Sequence, residues 1–150
     1  MVVLFIFVTV ILISLIIHLI SRRRRCRAYS YVETLRGNHN YIKSTNPKMY
    51  YDWIEYIIRV LDVSDITDIE VKESTFGYRI KYNERTWDWR SNGFGHYDKF
   101  YKITEKYLRR NDGTFKDSEF FSSKESVKKA KEGLLDKALT SILINTAQDK

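Results

Sequence analysis

The spacing of hydrophobic residues changes three times along this chain, and each change marks a new element. From Val2 to Ile20 the side chains are continuously apolar, interrupted only by Thr9, Ser14 and His18. Between Tyr50 and Leu61 they recur every three or four residues, as Tyr50, Trp53, Ile54, Ile57, Ile58 and Leu61. From Ile69 to Tyr82 they alternate with polar residues, and from Val127 to Ile142 the helical spacing returns.

The first pattern has the length of a membrane span. Nineteen residues rising about 1.5 Å each reach roughly 28 Å, against a hydrocarbon core about 30 Å thick. Its Val, Ile, Leu and Phe side chains each favour insertion by about 0.3 to 0.6 kcal/mol. Thr9 and Ser14 can return hydrogen bonds to carbonyls one turn earlier, so neither opposes a helix in lipid. Arg22, Arg23, Arg24, Arg25 and Arg27 follow directly, and no Lys or Arg precedes the span. A cleaved signal peptide would carry its charge in front and small residues behind. The expectation is a transmembrane signal-anchor over 1–21 and a basic stop over 22–27. The positive-inside rule then places the amino terminus outside and residues 28–150 in the cytoplasm as one domain.

Within 28–150, Ala28–Arg36 reads as a helix continuing from the span and ending at Gly37, with Asn38-His39-Asn40 as a loop. Gly37-Asn38-His39-Asn40 is similar to a short segment of calcineurin-like metallophosphoesterases. Arginines and an apolar helix stand where those enzymes have a strand bearing further ligands, so the segment reads as a turn. Asn46-Pro47 has the chemistry of a helix start, with Asn as N-cap and Pro in the first turn. That helix is expected over about Pro47–Leu61. Ile69 and Val71, then Tyr78, Ile80 and Tyr82, predict a β-hairpin turning at Ser74–Gly77. Thr86–Arg90 is expected to add a third strand after a turn at Asn83–Arg85, and Ser91–Gly95 to form a loop. Phe100, Ile103, Tyr107 and Leu108 fit a helix over Tyr97–Arg110 that stops at Asn111-Asp112-Gly113, with a strand over Lys99–Thr104 as the alternative. Ser122-Ser123-Lys124-Glu125 has capping-box spacing and opens the last helix, which frays after Asn145. The fold class is α+β: an antiparallel sheet of two to four strands, packed on one face by two or three helices.

Charge adds less than its total suggests. The net +7 includes five arginines at the membrane border, leaving 21 basic against 19 acidic residues beyond position 27. A surface near +2 is ordinary and gives little weight to nucleic-acid binding. The lone cysteine, Cys26, excludes an internal disulfide framework and reads as an incidental thiol, with juxtamembrane lipidation as the alternative. Scarce proline, glycine and alanine beside abundant Ile, Lys, Tyr, Asn and Asp accompany AT-rich coding, as in phages, viruses and some bacteria.

No P-loop, Rossmann glycine pattern or Cys-His pair is present, and no metal-ligand spacing or cofactor motif stands out. His96, Asp98, Asp88 and Glu84 would need a shared cleft to act as a catalytic group. Trp87 and Trp89, two apart on a strand, share one face. Their first reading is core packing beneath the helices. If exposed, they form a binding surface with Tyr78, Tyr82 and Phe94, surrounded by Arg79, Lys81, Arg85 and Arg90. Lys124, Lys128, Lys129 and Lys131 read as a solvated face of the last helix. The function expected is that of a single-pass, membrane-anchored, non-enzymatic interaction protein of a phage, viral or bacterial envelope. Its partners would be anionic lipid headgroups and another membrane or cytosolic protein. The alternatives are a tethered nucleic-acid binder that uses the aromatic and basic sheet face, and a membrane-bound hydrolase.

Overall fold

The computed structural model describes residues 1–110 and 119–147. The chain forms two compact units, Met1–Leu61 and Asp62–Lys150. The architecture is α+β, with one long apolar amino-terminal helix followed by helices and a three-stranded antiparallel sheet.

The first unit holds α1, Val2–Thr45, and α2, Pro47–Val60. The apolar stretch, the arginines and the expected helix from Ala28 are one continuous rod. Among the described residues its apolar side chains from Val2 to Ile20 are all exposed, and the helix is long and apolar enough to cross a membrane. The expected loop at Asn38-His39-Asn40 is instead a kink inside α1, where only Asn38 leaves helical geometry (φ −133°, ψ 19°). The helix resumes because Ile42 stays in register with Ala28, Val32 and Leu35. All four are buried, one turn apart from Ala28 to Leu35 and two turns from Leu35 to Ile42, so a single seam continues across the kink.

Asn46 alone joins the two helices. Its side-chain oxygen accepts the Met49 N–H at 3.2 Å, so the expected cap is in place. Tyr50, Ile54, Ile57 and Leu61 are buried in this unit. Tyr31 stacks on Trp53 at 4.5 Å, and the Tyr56 hydroxyl donates to the Arg24 carbonyl at 3.4 Å.

The second unit holds β1 (Ile66–Ser74), β2 (Gly77–Ser91), β3 (Tyr97–Tyr107) and α3 (Lys124–Ala147). The strand order is β1-β2-β3, and α3 packs on β1 and β2. The β1–β2 hairpin turns at Thr75-Phe76, between the paired Ser74 and Gly77, as the alternation implies. An extra residue on β1 between Thr67 and Glu70 makes a bulge. Asp68 there takes a left-handed conformation (φ 52°) that Asp tolerates better than most residues, and its carboxylate accepts a 2.9 Å hydrogen bond from Asn83. The core gathers Ile66 and Ile80 from the sheet, Phe121, and Val127, Leu134, Leu135, Ala138, Leu139 and Ile142 from α3.

Two expectations fail here. Asn83–Arg85 is not a turn: β2 runs through it, because Glu84 is held on both sides, by Ile66 of β1 and Thr104 of β3. The helix expected over Tyr97–Arg110 is the strand β3, close to the alternative strand over Lys99–Thr104. Its neighbour β2 is fifteen residues long, and a helix would have left the distal half of β2 unpaired. The stop expected at Asn111-Asp112-Gly113 lies outside the described residues.

The cap of α3 is one residue later than expected. The Ser123 hydroxyl oxygen accepts the Ser126 N–H at 3.1 Å, and the Ser126 oxygen accepts the Ser123 N–H at 3.3 Å. This is the reciprocal pattern of a capping box, with serine in place of Glu. The helix continues past Asn145 to Ala147.

Candidate functional site

Paired strands normally need a third strand or a helix behind them to be stable. β1 begins at Ile66, opposite Glu84. Beyond that point β2 and β3 continue as a two-stranded arm, from Arg85 paired with Ile103 to Ser91 paired with Tyr97. Residues Asn92–His96 form the tip, closed by Asn92 N–H donating to the His96 carbonyl at 3.0 Å. Gly93 and Gly95 both take positive φ there (84° and 82°), which glycine adopts without steric penalty.

Antiparallel pairing puts directly opposed residues on one face. Arg85, Trp87 and Trp89 therefore share a face with Ile103, Tyr101, Lys99 and Tyr97. Trp87 packs edge-on against Tyr101 at 5.2 Å and lies under the Lys99 ammonium at 4.5 Å. The Arg85 guanidinium covers Tyr101 at 4.7 Å and forms an ion pair with Asp62. On the opposite face Arg90 covers Phe100 at 4.5 Å. These cross-strand aromatic and cation–ring contacts, each contributing roughly 0.2 to 1 kcal/mol, replace the missing third strand.

The base of the arm is fixed by Asp65. Its carboxylate accepts the Trp87 indole N–H at 3.1 Å and the Asn145 amide at 3.0 Å. Its backbone N–H donates to the Ser141 hydroxyl at 3.0 Å, and its carbonyl accepts the Arg85 N–H at 2.7 Å. The root of the arm is thus bound to α3.

Trp87 and Trp89 do not fill the core. Trp87 is 37 % exposed and Trp89 63 %, because both lie beyond the end of β1 and, in the unbroken register of β2, on the face opposite the buried Ile80. Phe94 at the tip is 86 % exposed and Tyr97 is 68 % exposed. The arm thus carries four large aromatic side chains open to water, Trp87, Trp89, Phe94 and Tyr97.

The residues expected to join the tryptophans do so only in part. Arg90 is on the arm. Tyr78, Arg79 and Lys81 lie at the other end of β2, roughly 20 to 37 Å from the tryptophans at 3.4 Å per residue. They are occupied in packing the sheet. Tyr78 bridges to Phe121 through two backbone hydrogen bonds of 2.9 and 2.7 Å. Arg79 lies over Tyr107 at 4.0 Å and pairs with Glu119 at 3.7 Å. Lys81 pairs with Glu105 at 3.2 Å. Phe94, expected beside the tryptophans, is at the tip of the arm; Tyr97, Lys99, Tyr101 and Ile103 are not expected there, because the helical spacing of Phe100, Ile103 and Tyr107 obscures their alternation.

Three groups in this unit hold their protons above the ordinary range. Lys81 is raised by its hydrogen bond to Glu105, and Lys106 by its bond to Glu84. Tyr82 is raised first by burial and then by the charge of Glu84.

His96, Asp98, Asp88 and Glu84 are not gathered in a cleft. Asp88, His96 and Asp98 are exposed on the arm, and Glu84 sits at its root, paired with Lys106 at 2.9 Å. Among the described residues, no group of three or more His, Cys, Asp or Glu side chains is placed to hold a metal ion.

In the first unit, Arg22, Arg23, Arg24, Arg25 and Arg27 are all exposed on α1. Arg24, Arg25 and Arg27, with Arg59 of α2, border a cleft of about 790 Å3 whose apolar wall is Ile17, Ile20 and Val60. The arrangement places guanidinium groups beside the end of the apolar stretch. Comparison with protein-family models, curated proteins and solved structures finds no match for this chain.

Proposed function

We propose that this is a single-pass membrane-anchored interaction protein. Its amino terminus lies outside, its sheet unit lies in the cytoplasm, and the aromatic arm docks on another membrane or cytosolic protein. The observation that carries the docking part is the arm itself, which presents Trp89, Phe94 and Tyr97 to water at the end of a pinned hairpin. Aromatic side chains with few rotatable bonds are the usual anchors of protein interfaces.

Support for the anchor comes from the wholly uncovered apolar stretch of α1. A core helix of a soluble protein would bury that stretch. The same helix continues into the packed α1–α2 unit, which favours retention over cleavage as a leader. The cleft bordered by Arg24, Arg25, Arg27 and Arg59 offers donors to anionic headgroups while Ile17 and Ile20 meet acyl chains. Anchoring also raises the concentration of the arm near membrane partners without any new contact.

A nucleic-acid role draws less support. Lys99 and Arg85 already lie over Trp87, and Arg90 over Phe100, so those rings and cations are engaged with each other. A hydrolase role would need the carboxylates and His96 in one cleft, and they are spread along an open hairpin.

Crosslinking of the full chain in native membranes tests the proposal. The wild type yields a specific adduct with one protein, and the Trp89→Ala/Phe94→Ala variant loses it while remaining in the membrane fraction. Identical adducts from both chains refute docking through the arm. Recovery of the wild type in the soluble fraction refutes the anchor.

A further inference from the structure

β3 is an edge strand, and among the described residues it packs on no element except β2. Its backbone polarity is fixed by two hydrogen bonds of the β2–β3 ladder. Leu108 N–H donates to the Ile80 carbonyl, and Asn92 N–H donates to the His96 carbonyl. Even-numbered residues therefore point their N–H and C=O groups at β2. Odd-numbered residues, from Tyr97 to Tyr107, point theirs outward along the free edge. An edge of this length is a template for another strand.

The sequence of β3 is Tyr-Asp-Lys-Phe-Tyr-Lys-Ile-Thr-Glu-Lys-Tyr. Laid antiparallel to itself about its midpoint, Lys102, it is self-complementary. Asp98 meets Lys106 and Lys99 meets Glu105, each twice by symmetry. Tyr101 meets Ile103, Phe100 meets Thr104 and Tyr97 meets Tyr107. In this register outward-pointing residues oppose outward-pointing residues, which allows about twelve backbone hydrogen bonds. Moving the axis by one residue, to Tyr101 or Ile103, removes every opposite-charge pair.

The neighbouring strands extend the pattern. Lys81 already pairs with Glu105, which would next meet Lys99 of the second copy. Arg90 stands opposite Asp98, which would next meet Lys106 of the second copy, itself bonded to Glu84 of that copy. Charge sign alternates from strand to strand across the junction. Ile103, an exposed β-branched residue on a free edge, gains cover from Tyr101 of the second copy.

We infer that two copies of this chain associate through β3 in an isologous antiparallel pair, making one six-stranded sheet with Lys102 on the two-fold axis. The pairing is independent of where the chain resides. It lays each arm beside the root of the other copy's β3, so that the two arms point in opposite directions and overlap only at Tyr101–Ile103, with their aromatic faces on the same side of the sheet.

Cysteine crosslinking of the full chain in detergent micelles, on a Cys26→Ser background, reads the register directly. Lys102→Cys forms a disulfide dimer under mild oxidation, because directly opposed non-hydrogen-bonded residues lie about 4.5 Å apart at Cα, within disulfide reach. Mixed Asp98→Cys and Lys106→Cys chains form a heterodimer. Lys99→Cys alone does not, since its two copies stand six residues out of register, roughly 20 Å apart. Replacing the like-charged axial pair with Lys102→Thr tightens the dimer about two- to five-fold by sedimentation. Equal crosslinking at Lys102→Cys and Lys99→Cys, or a wild-type chain that sediments as a monomer at every concentration, overturns the inference. Identical adducts from the wild type and the Trp89→Ala/Phe94→Ala variant in native membranes, with the dimer intact, would refute only the docking role of the arm.

Discussion

Replacing Asp65 with alanine removes the acceptor that ties the arm to α3. Two side-chain hydrogen bonds are lost, from Trp87 at 3.1 Å and from Asn145 at 3.0 Å. A hydrogen bond to a charged group contributes about 1.5 to 3 kcal/mol when well shielded. Asp65 is only half-buried and Trp87 is 37 % exposed, so about 1 kcal/mol each is the appropriate scale. Asn145 keeps its 2.8 Å bond to the Val63 carbonyl, and the backbone bonds of Asp65 survive the change. The expected destabilisation is about 2 kcal/mol. Urea unfolding followed by tryptophan fluorescence measures it in a Trp53→Phe background, which removes the signal of the first unit. A double-mutant cycle with Trp87→Phe isolates the indole bond, which should show about 1 kcal/mol of coupling. Additivity within about 0.3 kcal/mol would refute the claim that Asp65 holds the arm through Trp87.

Two glycines should respond to alanine in opposite directions. Gly133 lies within α3 with no described atom within 4 Å of an added Cβ, so Gly133→Ala stabilises by about 1 kcal/mol, seen as a higher urea midpoint. Gly77 has φ +122°, and a Cβ there would sit 2.5 Å from the Phe121 carbonyl oxygen, so Gly77→Ala costs about 1 to 3 kcal/mol or more in the same assay. Ile80 is completely buried beneath α3, and Ile80→Ala lowers stability by about 2 to 5 kcal/mol. Lys81, Lys106 and Tyr82 bind their protons more tightly folded than unfolded. Their contribution is fully present below the unfolded values, about 10 to 10.5, and is lost as pH rises through the folded ones. Stability from these groups should be flat from pH 7 to 9 and fall above pH 10. A fall attributable to them already at pH 8, abolished by Lys81→Met and Lys106→Met, would contradict their assignment.

Local chemistry made some elements legible. Asn46-Pro47 announced α2 because a cap needs only one side chain and the next turn. Alternation announced the β1–β2 hairpin because its pairs are close in sequence. The cap of α3 was recognisable by spacing, although two adjacent serines left its position uncertain by one residue. At β3, Phe100, Ile103 and Tyr107 satisfy helical spacing by coincidence and favour a helix over the alternative strand, while in the strand Phe100 and Ile103 lie on opposite faces. What decides the matter is the unsatisfied distal half of β2, a non-local demand. Local sequence predicts a loop at Asn38, because the buried seam that carries α1 across the kink depends on packing with α2. The Asp65 junction was invisible for the same reason, since its partners lie 22 and 80 residues away in sequence. The exposure of Trp87 and Trp89 follows from where β1 ends and from the unbroken run of β2 through Asn83–Arg85, which turns both to the face opposite Ile80, and both are set by pairing with other strands.

The arm and the anchor are separable physically. The arm depends on aromatic cross-strand contacts and the Asp65 junction. The anchor depends on a continuous apolar helix followed by five arginines. The anchor and its orientation are the central claim, because they set the compartment in which the arm can meet a partner.

Labelling with a membrane-impermeant maleimide in intact cells tests that claim most directly, using Cys26→Ser with a single new thiol at Ser122→Cys, an exposed site just before α3. The account expects the chain in the membrane pellet, unlabelled until the membrane is permeabilised. Full labelling in intact cells, or a chain that remains in the supernatant, would contradict it.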